Sequence, residues 1–291
     1  MIDPRDGEPT LVAHRGFAGE NPENTVAAFE AATEPAARER SDATEESGPR
    51  RRRADWIEVD VVPTVDGDVV AAHDAELGRR DGDDRPAGLT DATGVVWETD
   101  TATVTSAPVL ESGETVPLFA DVLDAVPADV GVNVELKNPG RWDIRPGEKL
   151  GSDALAERTA VWRPFVERVL AVVDDHENDC LFSSFCEGAL AAVTELSAAP
   201  VAPLVSESID DGLAIARQHD ADAIHPPIDA IRGTPFFDAD AFGHANDIVA
   251  VAHADERAVN VWTVETWYQA DRLASAGVDG IIADYSTVQR R

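Results

Sequence analysis

The sequence predicts an α/β fold of the (β/α)8 TIM-barrel type, and three observations carry that prediction. Short apolar runs alternate with helical patterns along nearly the whole chain, the order expected of a parallel sheet wrapped in helices. At 291 residues and 31.1 kDa the chain has the size of one closed barrel. Several of the runs end on imidazole, guanidinium or carboxylate groups, and a barrel keeps its chemistry at the carboxyl ends of its strands.

In chain order, strand-like runs fall at 10–14, 56–62, 69–73, 131–137, 180–184, 201–205, 222–225, 259–264 and 278–283. Helical patterns cover 25–32, 117–125, 152–174, 187–197, 209–218, 238–254 and 266–276, and several open on Ser, Thr or Asp as N-cap residues. Nine runs compete for eight barrel places, so either one is not a strand or one is accessory, and the ambiguity lies between the second and third. Asp66-Gly67, between those two, is a tight-turn signal. A two-residue turn there sets Asp60 directly opposite His73.

Two stretches stand apart from this alternation. Residues 34–54 are rich in Glu, Ala and Ser and close on Arg50-Arg51-Arg52-Arg53. They read as an exposed, solvated insertion; the sharper reading is a docking arm for an acidic neighbour, such as a second copy of the chain in a homo-oligomer. Residues 74–116 form a long, turn-rich loop that leaves the rim just after His73, placed to act as a lid and select substrate. With these excursions, residues 1–291 are expected to make one catalytic domain.

Composition narrows the partners. Asp and Glu number 56 against 24 Lys and Arg, a formal charge of −32, and the only lysines are Lys137 and Lys149. Such a surface suits concentrated salt: at about 1 M the screening length falls to about 3 Å and the mutual repulsion is suppressed. A halophile's cytoplasm is the expected setting, although the same charge also serves plain solubility. Nucleic acid is excluded as a partner because the field has the wrong sign. No apolar run approaches the length of a membrane span and the N-terminus has no leader-like apolar segment, so a cytoplasmic protein without stable membrane association is expected. Cys180 and Cys186 have no metal-site spacing around them and read as buried free thiols.

The residues that carry chemistry lie on strand ends. In Leu11-Val12-Ala13-His14-Arg15-Gly16 an apolar run finishes on an imidazole and a guanidinium. In Trp56-Ile57-Glu58-Val59-Asp60-Val61 the period of two puts Glu58 and Asp60 on one face, and in Val132-Asn133-Val134-Glu135-Leu136-Lys137 it groups Asn133, Glu135 and Lys137. Three carboxylates, Glu58, Asp60 and Glu135, repel one another unless a counter-ion intervenes. All-oxygen ligation points to one hard divalent cation, Mg²⁺ or Ca²⁺, with Mn²⁺ as an alternative. His14 and His73, each ending a strand, suit a general acid and a general base. Arg15 and Lys137 add an anion site. Trp262 serves either as a pocket wall for the alcohol or head group or as a core residue, and His225 is a weaker rim candidate.

Assembled, these residues resemble the glycerophosphodiester phosphodiesterase family of phospholipase-C-like TIM-barrel phosphodiesterases. The resemblance rests on His14-Arg15-Gly16 with Pro22-Glu23-Asn24-Thr25, Glu58-Val59-Asp60 with Thr64, Asp66 and Gly67, His73-Asp74, Val116-Pro117-Leu118, Glu135-Leu136-Lys137, Trp262-Thr263-Val264 and Gly277-Val278-Asp279-Gly280-Ile281-Ile282-Ala283-Asp284. It implies metal-dependent hydrolysis of a small-molecule glycerophosphodiester to a glycerol phosphate and an alcohol. Glu58, Asp60 and Glu135 would hold the metal, His14 and His73 would move protons, and Arg15 and Lys137 would hold phosphate. Glu23 and Asn24 look like supporting residues or a helix cap. Glu265 stands where the family usually carries Asn after Trp-Thr-Val. The rivals are a lipid-directed phosphodiesterase of the same superfamily and a non-catalytic phosphodiester-binding barrel.

Overall fold

Alternation along the strands divides the apolar residues between two cores. A computed structural model of the protein describes residues 8–35, 51–78 and 88–289. In β2 (Trp56–Pro63) and β4 (Gly131–Leu136), Ile57, Val59, Val61, Val132, Val134 and Leu136 are buried in the outer core, together with Phe119, Trp162 and Phe165 from the helices. The intervening Trp56 belongs to a separate cluster with Val12, Leu181, Ala202, Ala223 and Ile282. These come one each from six strands and form an apolar floor inside the barrel. Glu58 and Asp60 follow Trp56 on the same face, two and four residues farther along the strand, so the polar layer stands above that floor.

The remaining strands are β1 (Thr10–His14), β3 (Val69–Ala71), β5 (Cys180–Ser184), β6 (Val201–Pro203), β7 (Ala223–Ile224), β8 (Ala258–Val264) and β9 (Gly280–Ala283). Their order is β6-β5-β4-β2-β1-β9-β8-β7, with every neighbouring pair parallel. The two ends meet at a bridge between Leu204 and His225, where His225 N–H donates to Pro203 O and Val205 N–H to His225 O, both at 2.9 Å. The result is the expected barrel of eight parallel strands, nearly closed.

Of the two alternatives, the ninth run is an accessory strand. β3 pairs antiparallel with β2, and Val61 lies opposite Ala71. This corrects the expected partner of Asp60: its carbonyl accepts from Ala72 N–H at 3.0 Å, so Ala72 and not His73 stands opposite. The cause is the loop. Thr64 and Asp68 close three residues rather than two, with Thr64 N–H bonded to Asp68 O and Gly67 at φ +92°, the left-handed position such a loop requires.

The principal helices are α1 (Val26–Thr33), α2 (Thr101–Thr105), α3 (Phe119–Ala125), α4 (Ser152–Asp174), α5 (Glu187–Leu196), α6 (Ile209–Gln218), α7 (Ala239–Phe242), α8 (Ile248–Ala254) and α9 (Trp267–Ser275). Thr25 caps α1 by accepting from Ala28 N–H. Thr266 and Gln269 form a reciprocal capping box on α9. One expected helix is two: the 238–254 pattern breaks between Phe242 and Ile248, and Asp247 caps the second piece by accepting from Ala250 N–H. Among the described residues no helix is long and apolar enough to cross a membrane.

Of the 34–54 insertion, residues 36–50, Arg50 included, lie outside the described residues. Arg51, Arg52 and Arg53 bind acids of their own chain, Glu20, Glu8 and Asp129 respectively, so in the described part the basic run braces the fold itself. The described part of the 74–116 loop packs Leu77, Val96, Val104, Val109 and Val116 against Val62 and Val70. It therefore has an apolar core of its own beside β3, and its residues 79–87 lie outside the described residues. Cys180 and Cys186 are free, and burial pushes both thiols up to about 12.

Gly131 allows the floor to close: a Cβ there would come within 2.2 Å of the Trp56 ring. Gly131→Ala is therefore expected to cost about 1–3 kcal/mol through overpacking. Denaturant unfolding at fixed salt measures this, and an unchanged midpoint would contradict the packing of Trp56 on β4.

Candidate active site

Register brings the acidic residues together. β1 sets His14 beside Glu58, and β4 sets Asn133 beside Glu58 and Glu135 beside Asp60. Glu58, Asp60 and Glu135 are all buried, with one carboxylate oxygen from each within 4.8 Å of the others. Residues on β1, β2, β4, β8 and β9, and in the segments after β1, β3, β4, β5 and β6, line one pocket of about 520 Å³ that includes His14, Arg15, Glu58, His73, Glu135, Lys137, Phe185 and Trp262. Every residue anticipated as catalytic, anion-binding or wall-forming is present there, and Asp60 lies buried directly behind it.

Two cations partly compensate the acids. Lys137 Nζ is 2.7 Å from Glu135 Oε1 and 3.4 Å from Asp60 Oδ1. Arg15 Nε is 3.0 Å from Asp60 Oδ2, and its Nη1 donates to Glu23 Oε1 at 3.0 Å. Asn24 Nδ2 donates to Asp60 Oδ2 at 2.9 Å. Burial opposes ionisation of Asp60, but Lys137 and Arg15 outweigh it and hold the carboxyl well below the usual carboxylate range. Both cations are correspondingly held above their ordinary values: burial alone would lower them, and the carboxylates around them prevail.

Glu58 behaves in the opposite way. Burial, followed by the nearby Asp60 and Glu135 charges, raises its carboxyl well above the ordinary value. One oxygen accepts from Arg15 N–H at 3.0 Å, while its Oε1 has no hydrogen-bond partner. An orphaned buried carboxylate oxygen grouped with two further carboxylates makes an all-oxygen set of the kind that a hard divalent cation takes. The residues present therefore fit such an ion.

The β1 turn that carries Arg15 is unusual. Arg15, Gly16 and Phe17 have φ of 52°, 80° and 62°, and for the two residues that bear side chains this costs about 1–3 kcal/mol each. Gly16 is needed there because a Cβ would come within 2.7 Å of Ala28 Cβ. Arg15 N–H reaches back to Glu58, and Asn24 N–H donates to Arg15 O at 3.0 Å, so the strained turn is held by the same residues it serves. His14 Nδ1 lies 2.6 Å from Asp284 Oδ1 and its Nε2 3.9 Å from Glu58 Oε2. His73 Nδ1 lies 3.0 Å from Asp74 Oδ1.

Trp262 donates through Nε1 to His225 O at 2.8 Å and packs edge-on to Phe185, ring centroids 5.6 Å apart. Lys137 Nζ sits 5.9 Å from the Phe185 ring. Sequence reading singled out neither Phe185 nor the partnership of Asp284 with His14. The signals for them were the aromatic following Ser183-Ser184 at the end of β5, and the carboxylate closing the β9 run. His225 is a correction: it is fully buried, contacts Asn260 Nδ2 through Nε2 at 3.0 Å, and burial pushes its imidazole down to about 3. It lies beneath the rim as a neutral interior group.

Comparison with known proteins agrees with this geometry. A glycerophosphodiester phosphodiesterase of Bacillus altitudinis is 28% identical over 288 residues, covering 94% of each chain. The structure of a phosphodiesterase of Oleispira antarctica in complex with the product sn-glycerol-3-phosphate superposes with a TM-score of 0.67 at 22% identity, over 96% of this chain and 94% of that one. A glycerophosphodiester phosphodiesterase of Thermotoga maritima superposes with a TM-score of 0.63 at 21% identity, over 97% and 96%. These two structural likenesses bear on the fold. The sequence profile of the glycerophosphoryl diester phosphodiesterase family matches residues 51–288, which take in most of the barrel and all three buried carboxylates, and by that match the chain belongs to this family.

Proposed function

We propose that the protein hydrolyses small glycerophosphodiesters to a glycerol phosphate and an alcohol, in a reaction that depends on a divalent cation. The observation that carries this reading is the buried group Glu58, Asp60 and Glu135, flanked by Arg15 and Lys137 and sharing one pocket with two imidazoles. The sn-glycerol-3-phosphate bound by the Oleispira antarctica phosphodiesterase supports a glycerol phosphate as the product here.

Glu58, Asp60 and Glu135 would hold Mg²⁺, Ca²⁺ or Mn²⁺, and the ion supplies Lewis-acid stabilisation of charge on a phosphoryl oxygen. Arg15 and Lys137, fixed by their carboxylate partners, neutralise the further charge that builds on the phosphoryl group as the transition state forms. One histidine of the His14 and His73 pair takes a proton from the nucleophile, and the other gives a proton to the leaving alkoxide as the phosphorus–oxygen bond to the alcohol breaks. The nucleophile is water, or the substrate's own glycerol hydroxyl through a cyclic phosphate that water then opens. Trp262 and Phe185 wall the pocket beside Lys137 and keep the carbon skeleton of the substrate against an apolar surface.

The test is release of glycerol phosphate from a panel of glycerophosphodiesters in high-salt buffer, with each cation and with EDTA. Release that EDTA abolishes is expected, and no release from folded protein with any cation would overturn the reading. His14→Ala and His73→Ala are each expected to lower turnover by about 10²-fold or more with folding retained; near-normal turnover in either removes that histidine from the reaction. Glu135→Gln is expected to raise the cation concentration needed for half-maximal activity, and an unchanged requirement would remove Glu135 from the cation site.

A further inference from the structure

We infer that Asp284 is a positioning residue for His14, fixing the imidazole tautomer and ring orientation that the reaction requires. This rests on the proposed function above for what His14 does, and on geometry for how Asp284 acts. Asp284 is 270 residues from His14 in sequence, yet its Oδ1 lies 2.6 Å from His14 Nδ1. The β1–β9 register produces the meeting: Ala13 lies opposite Ala283, so the next residue on each strand continues onto the same rim.

The backbone of Asp284 is held from both sides. Asp284 N–H donates to Val264 O at 3.0 Å, and its carbonyl accepts from Gly19 N–H at 3.0 Å. The Tyr285 ring lies against Gly19 so closely that a Cβ there would come within 2.3 Å of it. Asp284 is thus tied to the end of β8 and to the strained turn that follows His14. The partner of His73, by contrast, is its immediate neighbour Asp74, on a bend with about a third of each side chain exposed.

A neutral imidazole carries one N–H. With Asp284 accepting from Nδ1–H, the lone pair is left on Nε2, the nitrogen on the side of Glu58 and 3.9 Å from its Oε2. When that nitrogen gains a proton, the same carboxylate stabilises the imidazolium. Asp284 touches neither substrate nor cation in this scheme and acts through His14 alone.

The experiment uses the full-length protein with Mg²⁺ present and compares the wild type with Asp284→Asn. In steady-state turnover of a glycerophosphodiester, kcat is expected to fall about 10²–10⁴-fold, as when a carboxylate partner of a working histidine becomes an amide, while KM stays unchanged. In ¹⁵N spectra of the imidazoles, with the His14 signals assigned from His14→Gln, the wild type is expected to show His14 protonated on Nδ1, and Asp284→Asn to shift it toward the Nε2–H form. Retained kcat in Asp284→Asn, or a wild-type His14 protonated on Nε2 alone, would overturn the inference. The wild-type spectrum keeps the inference open to refutation even where the variant fails to fold. A wild type that releases no glycerol phosphate would count against the function, while the tautomer of His14 would still be read from the spectrum.

Discussion

Three carboxylates and two cations share one buried layer of the barrel, and much of the site's architecture follows from that imbalance. Glu58, Asp60 and Glu135 bring three negative charges out of water, whereas Arg15 and Lys137 return two positive ones. Each buried ion loses several kcal/mol of hydration on the order expected for protein interiors, so the layer is tolerable only where every charge meets a partner. Asp60 meets both cations and Asn24, and is held ionised. Glu58 accepts from one backbone N–H, and burial with the like charges of Asp60 and Glu135 outweighs the pull of Arg15 and Lys137 and drives it toward its neutral form. This distribution has room for one further positive partner, and a divalent cation would fit it.

Satisfying that layer constrains elements far from it. Arg15 can reach Asp60 and Glu23 only because the chain turns sharply through three positive φ values after β1. The turn in turn needs Gly16 against α1 and Gly19 beneath Tyr285. Below the acids, Trp56 and its neighbours form a dry floor, which limits access of water from beneath and strengthens the electrostatic interactions above. The surface is densely acidic, and both lysines of the chain pair with buried carboxylates. Of the two lysines in the chain, Lys137 lies at the acids and Lys149 binds buried Glu187 at 2.8 Å.

Much of this was legible in the sequence because strand period and barrel polarity act locally. A period of two fixed which residues of 56–62 and 131–137 share a face, and the barrel rule placed them at one end. What escaped depended on counts or contacts between distant segments. One extra loop residue, with Gly67 in the left-handed region, moved Ala72 into the place expected for His73. The 238–254 pattern is broken at Gly243-His244-Ala245-Asn246-Asp247, where Gly243 closes one helix and Asp247 caps the next, a turn signal that the apolar residues on either side obscured. His225 ended its run as the rim residues did, but it is fully buried against Asn260. Asp284 was visible as a carboxylate closing a strand; its partnership with His14 required knowledge that the first and last strands are neighbours.

Whether a divalent cation completes the Glu58, Asp60 and Glu135 layer is tested without reference to turnover by cation binding to protein stripped with EDTA. Thermal unfolding followed while Mg²⁺, Ca²⁺ or Mn²⁺ is titrated should show the wild type stabilised in proportion to saturation. The same titration of Glu58→Gln, which has lost the carboxylate with the orphaned oxygen, should show that response much reduced. A wild type whose unfolding is unmoved by all three cations, or a Glu58→Gln variant that responds as fully as the wild type, would contradict the account.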